Sequence, residues 1–462
     1  MKSKLIFALI ILVLLTTTGF GCKQGNLAAY KELSEPVTLK YWRVFDGEDD
    51  FAEIIAAYRQ RHPNVNIEYK KLRYEEYEQA LLTGWADDQG PDIFTIHNTW
   101  VGKYKDRIAP MPESIKLPYV AELDNRTNKT IRADYKQVQL MTLMEIKNKF
   151  ADAVYQDVVR DDKVLGLPLS VDSLALFYNR TLLDNGQITK VPATWVELKE
   201  AVKRLTIKDE TGSIVQSGIA LGIGDNINRA ADILALLMMQ NGTQMAESAG
   251  GQATFNSVSP YIADKSFKPG VDALRFYTDF ASPTKDVYSW NSSMPEAVEA
   301  FIAGKVAMIL GYAYQLPLIR TQGARLNIGV AEVPHINANG SDALGSKINL
   351  ASYWVETVAK KTKYQNYGWD FLAFATSEEA ALKYLTKTKK PTALRALVDK
   401  QINDYALAPF VNQILTAKSW YRGRDSQAME SIFKEMINNV VAGRSEAEPA
   451  ADFAASKLNQ TF

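Results

Sequence analysis

The chain has 462 residues with 53 basic and 53 acidic side chains, 47% apolar residues and one cysteine. Zero formal net charge lacks the electrostatic signature of a nucleic-acid binder, and the apolar content is too high for a chain that stays disordered. A single cysteine closes no internal disulfide, so the length implies roughly two to three domains held by hydrophobic cores alone.

Lys2 and Lys4 precede an unbroken apolar run, Leu5 to Leu15, followed by Thr16, Thr17, Thr18, Gly19, Phe20, Gly21 and Cys22. This pattern reads as a signal peptide over residues 1–22. As a helix the run spans only about 16 Å, short of the ~30 Å hydrocarbon core. Cys22 after Gly21 resembles the lipobox of bacterial lipoproteins, with Gly19 and Phe20 as departures from it. Lipidation of Cys22 would anchor an exported chain to the outer face of the cell membrane or the periplasmic side. Residues 23–36 would then form a tether.

After the tether the hydrophobic period alternates between two and 3.6. Val37, Leu39 and Tyr41 alternate as a strand, and Phe51, Ile54, Ile55 and Tyr58 fall at helical spacing. His62-Pro63-Asn64 stops that helix, and Val65, Ile67 and Tyr69 alternate again. Tyr74, Tyr77, Leu81, Leu82 and Trp85 make a second amphipathic helix before a strand over 92–96. Such a βαβαβ order implies a parallel sheet. Further on, residues 167–178 read as extended chain, and Thr194 with Glu197 forms a capping box for a helix burying Trp195, Leu198, Val202 and Leu205. Pro295 opens a short helix, Gly304 closes it, and Val306, Met308 and Leu310 alternate as a strand. Two late helices present Tyr367, Phe371 and Phe374 on one face, and Met429, Ile432, Phe433, Met436 and Val440 on another.

Parallel α/β sheets bind ligands beyond the carboxyl ends of their strands. That rule selects the loops 41–47, 97–100 and 311–315, each combining aromatic rings with short polar groups. Flat rings stack on the apolar faces of sugars while Asp and Asn take hydroxyl hydrogen bonds. Trp85, Trp195 and Trp369 lie on helical apolar stripes and are assigned to cores, and Asp49 and Asp50 to the capping of the next helix. The three histidines, His62, His97 and His335, are widely spaced and lack a zinc-binding pattern. No nucleophile elbow, phosphate loop or dinucleotide fingerprint is present, and no cofactor or metal is expected. A pair of carboxylates suited to a surface glycosidase remains an open alternative at this point, as does a solute receptor serving a signalling partner.

The segments "AYRQRHPNVNIEY", "YEEYEQALLTG", "GPDIFTI", "GLPLSVDSLALFYNRTLLDNG", "VPATWVELKEAVKRLT", "AVEAFIAGKVAMILGYAY" and "YGWDFLAFATSEEAALKYLTKTKKPTALRAL" occur in an order that resembles the family 1 extracellular solute-binding proteins of ABC importers, the group that includes maltose-binding protein. The resemblance implies a two-lobed α/β fold of the type II periplasmic-binding-protein kind, with interleaved lobes and a hinge. One lobe would take residues 37–170 and 352–408, the other 171–351 and 409–462. It further implies a non-enzymatic monomer that captures a small solute, most readily a carbohydrate, by hinge closure and delivers it to a membrane permease. The positions it marks for ligand contact are Asp46, Asn98, Trp100, Asp172, Tyr312 and Trp420, with Trp290, Tyr353 and Arg422 as further candidates, and the strand-end loop 41–47 adds Trp42.

Overall fold

The computed structural model describes residues 26–125, 128–247, 251–260, 262–336 and 347–462. The signal peptide and Cys22 lie outside the described residues. The expected tether is instead structured from Asn26 onward. Asn26 caps helix α1 (Leu27–Ser34) by accepting the N–H groups of Ala28 and Ala29. Ala29 is buried, the Asn26 N–H donates to the carbonyl of Ala133 at 2.9 Å, and the hydroxyls of Tyr135 and Tyr367 both reach the Glu32 carboxylate. The helix is thus docked on the body, because its carboxylate is held by tyrosines of two distant elements that open chain would not supply.

Strand β1 (Val37–Val44) leads into helix α2 (Glu48–Arg61), where Asp50 accepts the Gly47 N–H at 2.7 Å, the capping role read for it. Strand β2 (Val65–Leu72), helix α3 (Tyr74–Ala86) and strand β3 (Ile93–His97) follow, and β1 pairs in parallel with both β2 and β3. A long antiparallel hairpin comes next, β4 (Ser114–Asn125) and β5 (Asn128–Gln139), paired from Ser114↔Gln139 to Asn125↔Asn128. After helix α4 (Asp152–Val158) come β6 (Asp172–Ser173), β7 (Ala175–Asn179) and helix α5 (Trp195–Leu205) with its Thr194–Glu197 capping box in place.

Strands β8 (Ile207–Lys208) and β9 (Ile214–Ile219) precede the almost wholly buried helix α6 (Ala230–Gln240). Helix α7 spans Ala297–Ile302 and is capped by the Glu296 side chain, so Pro295 precedes the cap and does not open the helix. Gly304, at φ +69°, ends it in the left-handed region where glycine carries no Cβ penalty. Strand β10 (Val306–Gly311) is buried at all six positions, which marks a central strand covered on both faces. Further elements include β11 (Ile328–Glu332), β12 (Asn349–Ser352), β13 (Trp354–Val358), α8 (Gln365–Ala375), α9 (Glu378–Thr388), β14 (Ala417–Lys418), α10 (Ser426–Val441) and α11 (Ala447–Leu458).

Two principal sheets organise two cores. The first has the order β13-β3-β1-β2, parallel except for antiparallel β13, and packs Tyr41, Phe94 and Val355 against Phe51, Tyr58, Tyr77, Trp369 and Phe371 of the flanking helices. The second has the order β8-β9-β10-β7-β11 and is mixed, since β7 runs antiparallel to both neighbours. Its core gathers Phe177, Trp195, Leu234, Tyr277, Trp290, Phe301 and Phe433. Each fully buried large apolar side chain contributes about 1.5–3 kcal/mol.

The chain changes core three times. Val171 belongs to the first and Leu174 to the second, Leu350 to the second and Ala351 to the first, and after Ala417 the chain enters the second again at Trp420. These passages form a small third sheet of order β14-β12-β6. Phe410 packs in the second core while Ile414 and Ala417 pack in the first, so the last changeover is gradual and ends at the β14 passage, later in the chain than residue 408.

Candidate ligand cleft between the two lobes

The ends of β3, β10, β12 and β14 open onto one cleft, whose walls come from both cores. The first lobe supplies His97, Asn98 and Thr99 after β3, and Ser352 at the end of β12. The second supplies Arg229 and Asp232 at the start of α6, Tyr312 after β10, Trp420 after β14, and Ser426 and Glu430 on α10.

Aromatic rings line both sides. Trp354 sits edge-on to His97, Trp100 and Phe45 at 5.6, 5.7 and 5.6 Å, and to Tyr74 at 6.2 Å. Phe45 and Tyr74 stack nearly parallel at 5.9 Å. Phe45 is turned outward by a left-handed backbone at φ +66°, leaving it 53% exposed, and Tyr74 is 43% exposed. Across the cleft Tyr312 and Tyr314 stack at 6.0 Å with only 19° between their planes, and Tyr314 is 54% exposed. Exposed flat rings on facing walls are surfaces for the apolar faces of a ring-shaped ligand.

Polar groups lie between the rings. The Tyr312 hydroxyl donates to Asp232 at 3.0 Å, and Arg229 pairs with the same carboxylate at 3.5 Å. His97 is held by Thr99 and Ser352, at 2.8 and 3.1 Å. Burial, reinforced by the charge of Arg229, depresses its pKa to about 3, so the imidazole is neutral and serves as a hydrogen-bonding group. Asp172 accepts the N–H groups of Ser173, Ala313 and Tyr314 at 2.8, 3.0 and 3.2 Å. Burial still pushes its carboxyl up to about 7. Asp172 therefore ties the β6 crossing to the loop that carries the Tyr312–Tyr314 stack.

The candidate residues read from sequence separate into three groups. Asn98, Tyr312 and Trp420 line the cleft together; Trp100, buried beneath Trp354, donates its indole N–H to Ser426 of the opposite lobe at 3.0 Å. Tyr353 and Arg422 instead converge on Asp157, a buried carboxylate of α4, to which the cleft residue Asn98 is also bonded. Asn98 Nδ2 lies 3.0 Å from it, the Tyr353 hydroxyl 2.7 Å, and Arg422 3.3 Å, while Ser419 also donates to it. Tyr353 and Arg422 thus spend their polar groups on an internal acid beside the β14 crossing.

Asp46, Trp42 and Trp290 stand apart from the cleft. Asp46 is buried and receives Arg43, Lys390 and the Tyr384 hydroxyl at 3.0, 2.5 and 2.9 Å. Burial favours its neutral form, but Arg43 and Lys390 outweigh that and hold its pKa below the ordinary value. Trp42 lies on the opposite face of β1 from Tyr41, against Gly84 of α3 and beneath Lys70. Trp290 is fully buried in the second core and donates to Asn226 at 2.7 Å.

Sequence reasoning selected the loops holding Phe45, His97, Thr99 and Tyr314 without singling those residues out. It missed Tyr74, Trp354, Arg229, Asp232 and Glu430. Trp354 follows Tyr353 and points to the other face of its strand, a one-residue alternation that could have identified it. Arg229, Asp232 and Glu430 are ordinary charged residues at helix starts and carry no local signal. Among the described residues no group of three or more His, Cys, Asp or Glu could hold a metal ion.

The sequence profile described as bacterial extracellular solute-binding protein matches residues 46–382. The chain belongs to this family. Among relatives, the solute-binding protein is 20% identical to the galactooligosaccharide-binding protein of Bacillus subtilis, over 85% of this chain and 81% of that one. It is 22% identical to the diacetylchitobiose binding protein DasA of Streptomyces coelicolor, over 74% and 70%. The maltose-binding protein MalE of Listeria monocytogenes, solved in complex with maltose, superposes with a TM-score of 0.67 at 18% identity, covering 92% of this chain and 97% of that one. The solute-binding protein has the type II periplasmic-binding-protein fold, in which two α/β lobes are joined by crossings such as the β6, β12 and β14 passages. Among the described residues no helix is long and apolar enough to cross a membrane.

Proposed function

We propose that this chain is the substrate-binding component of an ABC importer, capturing a sugar or oligosaccharide outside the cytoplasm and delivering it to a membrane permease without chemistry of its own. The observation that carries the reading is the presence of exposed rings beside both walls, Phe45 and Tyr74 around Trp354 next to His97 and Tyr314 upon Tyr312, with donors and acceptors among the lining residues. The galactooligosaccharide and diacetylchitobiose specificities of relatives support the same ligand class.

In this reading the lobes follow the two cores, about 37–171 with 351–417 and about 174–350 with 420–462, and the third sheet is the hinge. A ligand that touches both walls favours the closed state, because only closure lets it contact both at once. The mature protein is a monomer held at the membrane by lipid on Cys22. Ligand contacts fall to Trp354, Phe45, Tyr74, Tyr312, Tyr314, Trp420, His97, Asn98, Arg229 and Asp232.

Thermal melting of the purified protein against mono- and oligosaccharides tests the assignment. A ligand at 100 times its dissociation constant stabilises the folded state by about 2.7 kcal/mol. A shift confined to one saccharide class is the expected result, and no shift with any saccharide would overturn it.

A further inference from the structure

Three carboxylates stand in or beside the cleft, and two of them are already satisfied. Asp232 receives both Arg229 and the Tyr312 hydroxyl, and Asp172 accepts three backbone N–H groups. Glu430, on the second turn of α10, lines the same cleft, and among the described residues none offers it a hydrogen bond or an ion pair. Lys434, one turn further along α10, is near enough to be felt but makes no ion pair with it. Arg229 pairs with Asp232 and acts on Glu430 only at longer range. Burial together with the like charge of Asp232 raises the pKa of this half-buried carboxylate against the opposing charges of Arg229 and Lys434.

The opposite wall supplies a complementary feature. Tyr74 lies within electrostatic reach of Glu430, and Trp420, on Glu430's own wall, lines the same space. An acid facing aromatic rings matches the surroundings of a cation, which the ring faces attract and the carboxylate neutralises.

We propose that the solute of this cleft carries a primary ammonium group and that Glu430 receives it. The inference rests on the saccharide reading for the remainder of the ligand, which makes an oligosaccharide with free amino groups the expected class. A linear polyamine presents the same ammonium without the sugar rings.

Isothermal titration of the purified protein with four probes separates these cases. Cellotetraose, the N-acetylglucosamine tetramer and the glucosamine tetramer share one β-1,4-linked backbone and differ at carbon 2, and spermidine is the fourth probe. The glucosamine tetramer should bind at least about tenfold more tightly than either neutral tetramer, an advantage that shrinks in high salt because the pair is partly exposed. Glu430→Gln, nearly equal in size, should reduce that binding about tenfold. The salt series on the unmodified protein reports the same contact should the variant fold poorly. Equal affinities for the three tetramers would overturn the ammonium inference and leave the saccharide reading standing. An amine preference insensitive to Glu430→Gln and to salt would overturn the role of Glu430. Binding of spermidine alone would support the ammonium and overturn the saccharide, and binding of none of the four would overturn the inference.

Discussion

Trp100 of the first lobe donates its indole N–H to the hydroxyl of Ser426 in the second lobe at 3.0 Å. The bond crosses the cleft directly beneath Trp354, which lies edge-on to Trp100. Closure therefore has a protein–protein contact of its own beside the ligand contacts, and the aromatic wall is braced from below by the same indole. Removing the donor with Trp100→Phe should favour the open state and weaken saccharide binding by about 0.5–1.5 kcal/mol, the usual net value of one hydrogen bond. Titration calorimetry on the variant reads this directly.

Asp157 gathers Asn98, Tyr353, Ser419 and Arg422 around one buried carboxylate. Asp157→Ala strands several buried donors at once and leaves Arg422 without its counter-charge. A loss of about 3–5 kcal/mol in unfolding free energy is expected from urea titration. A loss below about 1 kcal/mol would mean that the cluster is solvated and does not brace the crossing.

Trp42 and Trp290 distinguish packing from binding. Trp290→Ala should cost about 3–5 kcal/mol of stability, the range for a buried aromatic truncated to alanine. Trp42→Ala, at a half-buried position of β1 packed against α3, should cost less. Neither should change saccharide affinity by more than about twofold once the fraction folded is accounted for. A tenfold loss of affinity in stably folded Trp42→Ala would return that residue to the binding site.

Acid response separates two groups of the cleft region. His97 is held near 3 against an ordinary value of about 6.5, so between those values the unfolded chain binds the additional proton. Stability falls through His97 as pH drops from about 6.5 toward 3, by at most about 1.4 kcal/mol per pH unit. Asp172 is raised to about 7, so the folded state binds the additional proton between about 4 and 7, and its contribution moves the other way. His97→Gln should flatten the acid-side loss, whereas Asp172→Asn should steepen it. Urea titrations at pH 4, 5, 6 and 7 give both slopes.

Legibility in the sequence followed hydrophobic periodicity. The β1–α2–β2–α3–β3 unit was readable because each element buries one face at its own period, and β10 because it ends in an aromatic loop. The β4–β5 hairpin was not, since it packs largely against itself and carries Pro118 within a strand. Helix α1 depends on distant partners, Ala133, Tyr135 and Tyr367, that no local pattern announces. In the cleft, loop aromatics were visible at strand ends, but the destination of polar groups was not. Asp46, Tyr353 and Arg422 looked available and are consumed by internal partners, while Arg229, Asp232 and Glu430 reach the cleft only through the placement of α6 and α10.

The most direct measurement is the affinity of the Trp354→Ala/Tyr314→Ala double variant for the saccharide that melts the unmodified protein highest. Trp354 adjoins His97 of the first wall and Tyr314 adjoins Tyr312 of the second, and neither is more than partly buried. Each stacked ring contributes about 0.5–1.5 kcal/mol, so the double variant should bind roughly five- to 150-fold more weakly while melting as a folded protein without ligand. Unchanged affinity would contradict the account, because the solute would then be held somewhere other than the cleft between these two walls.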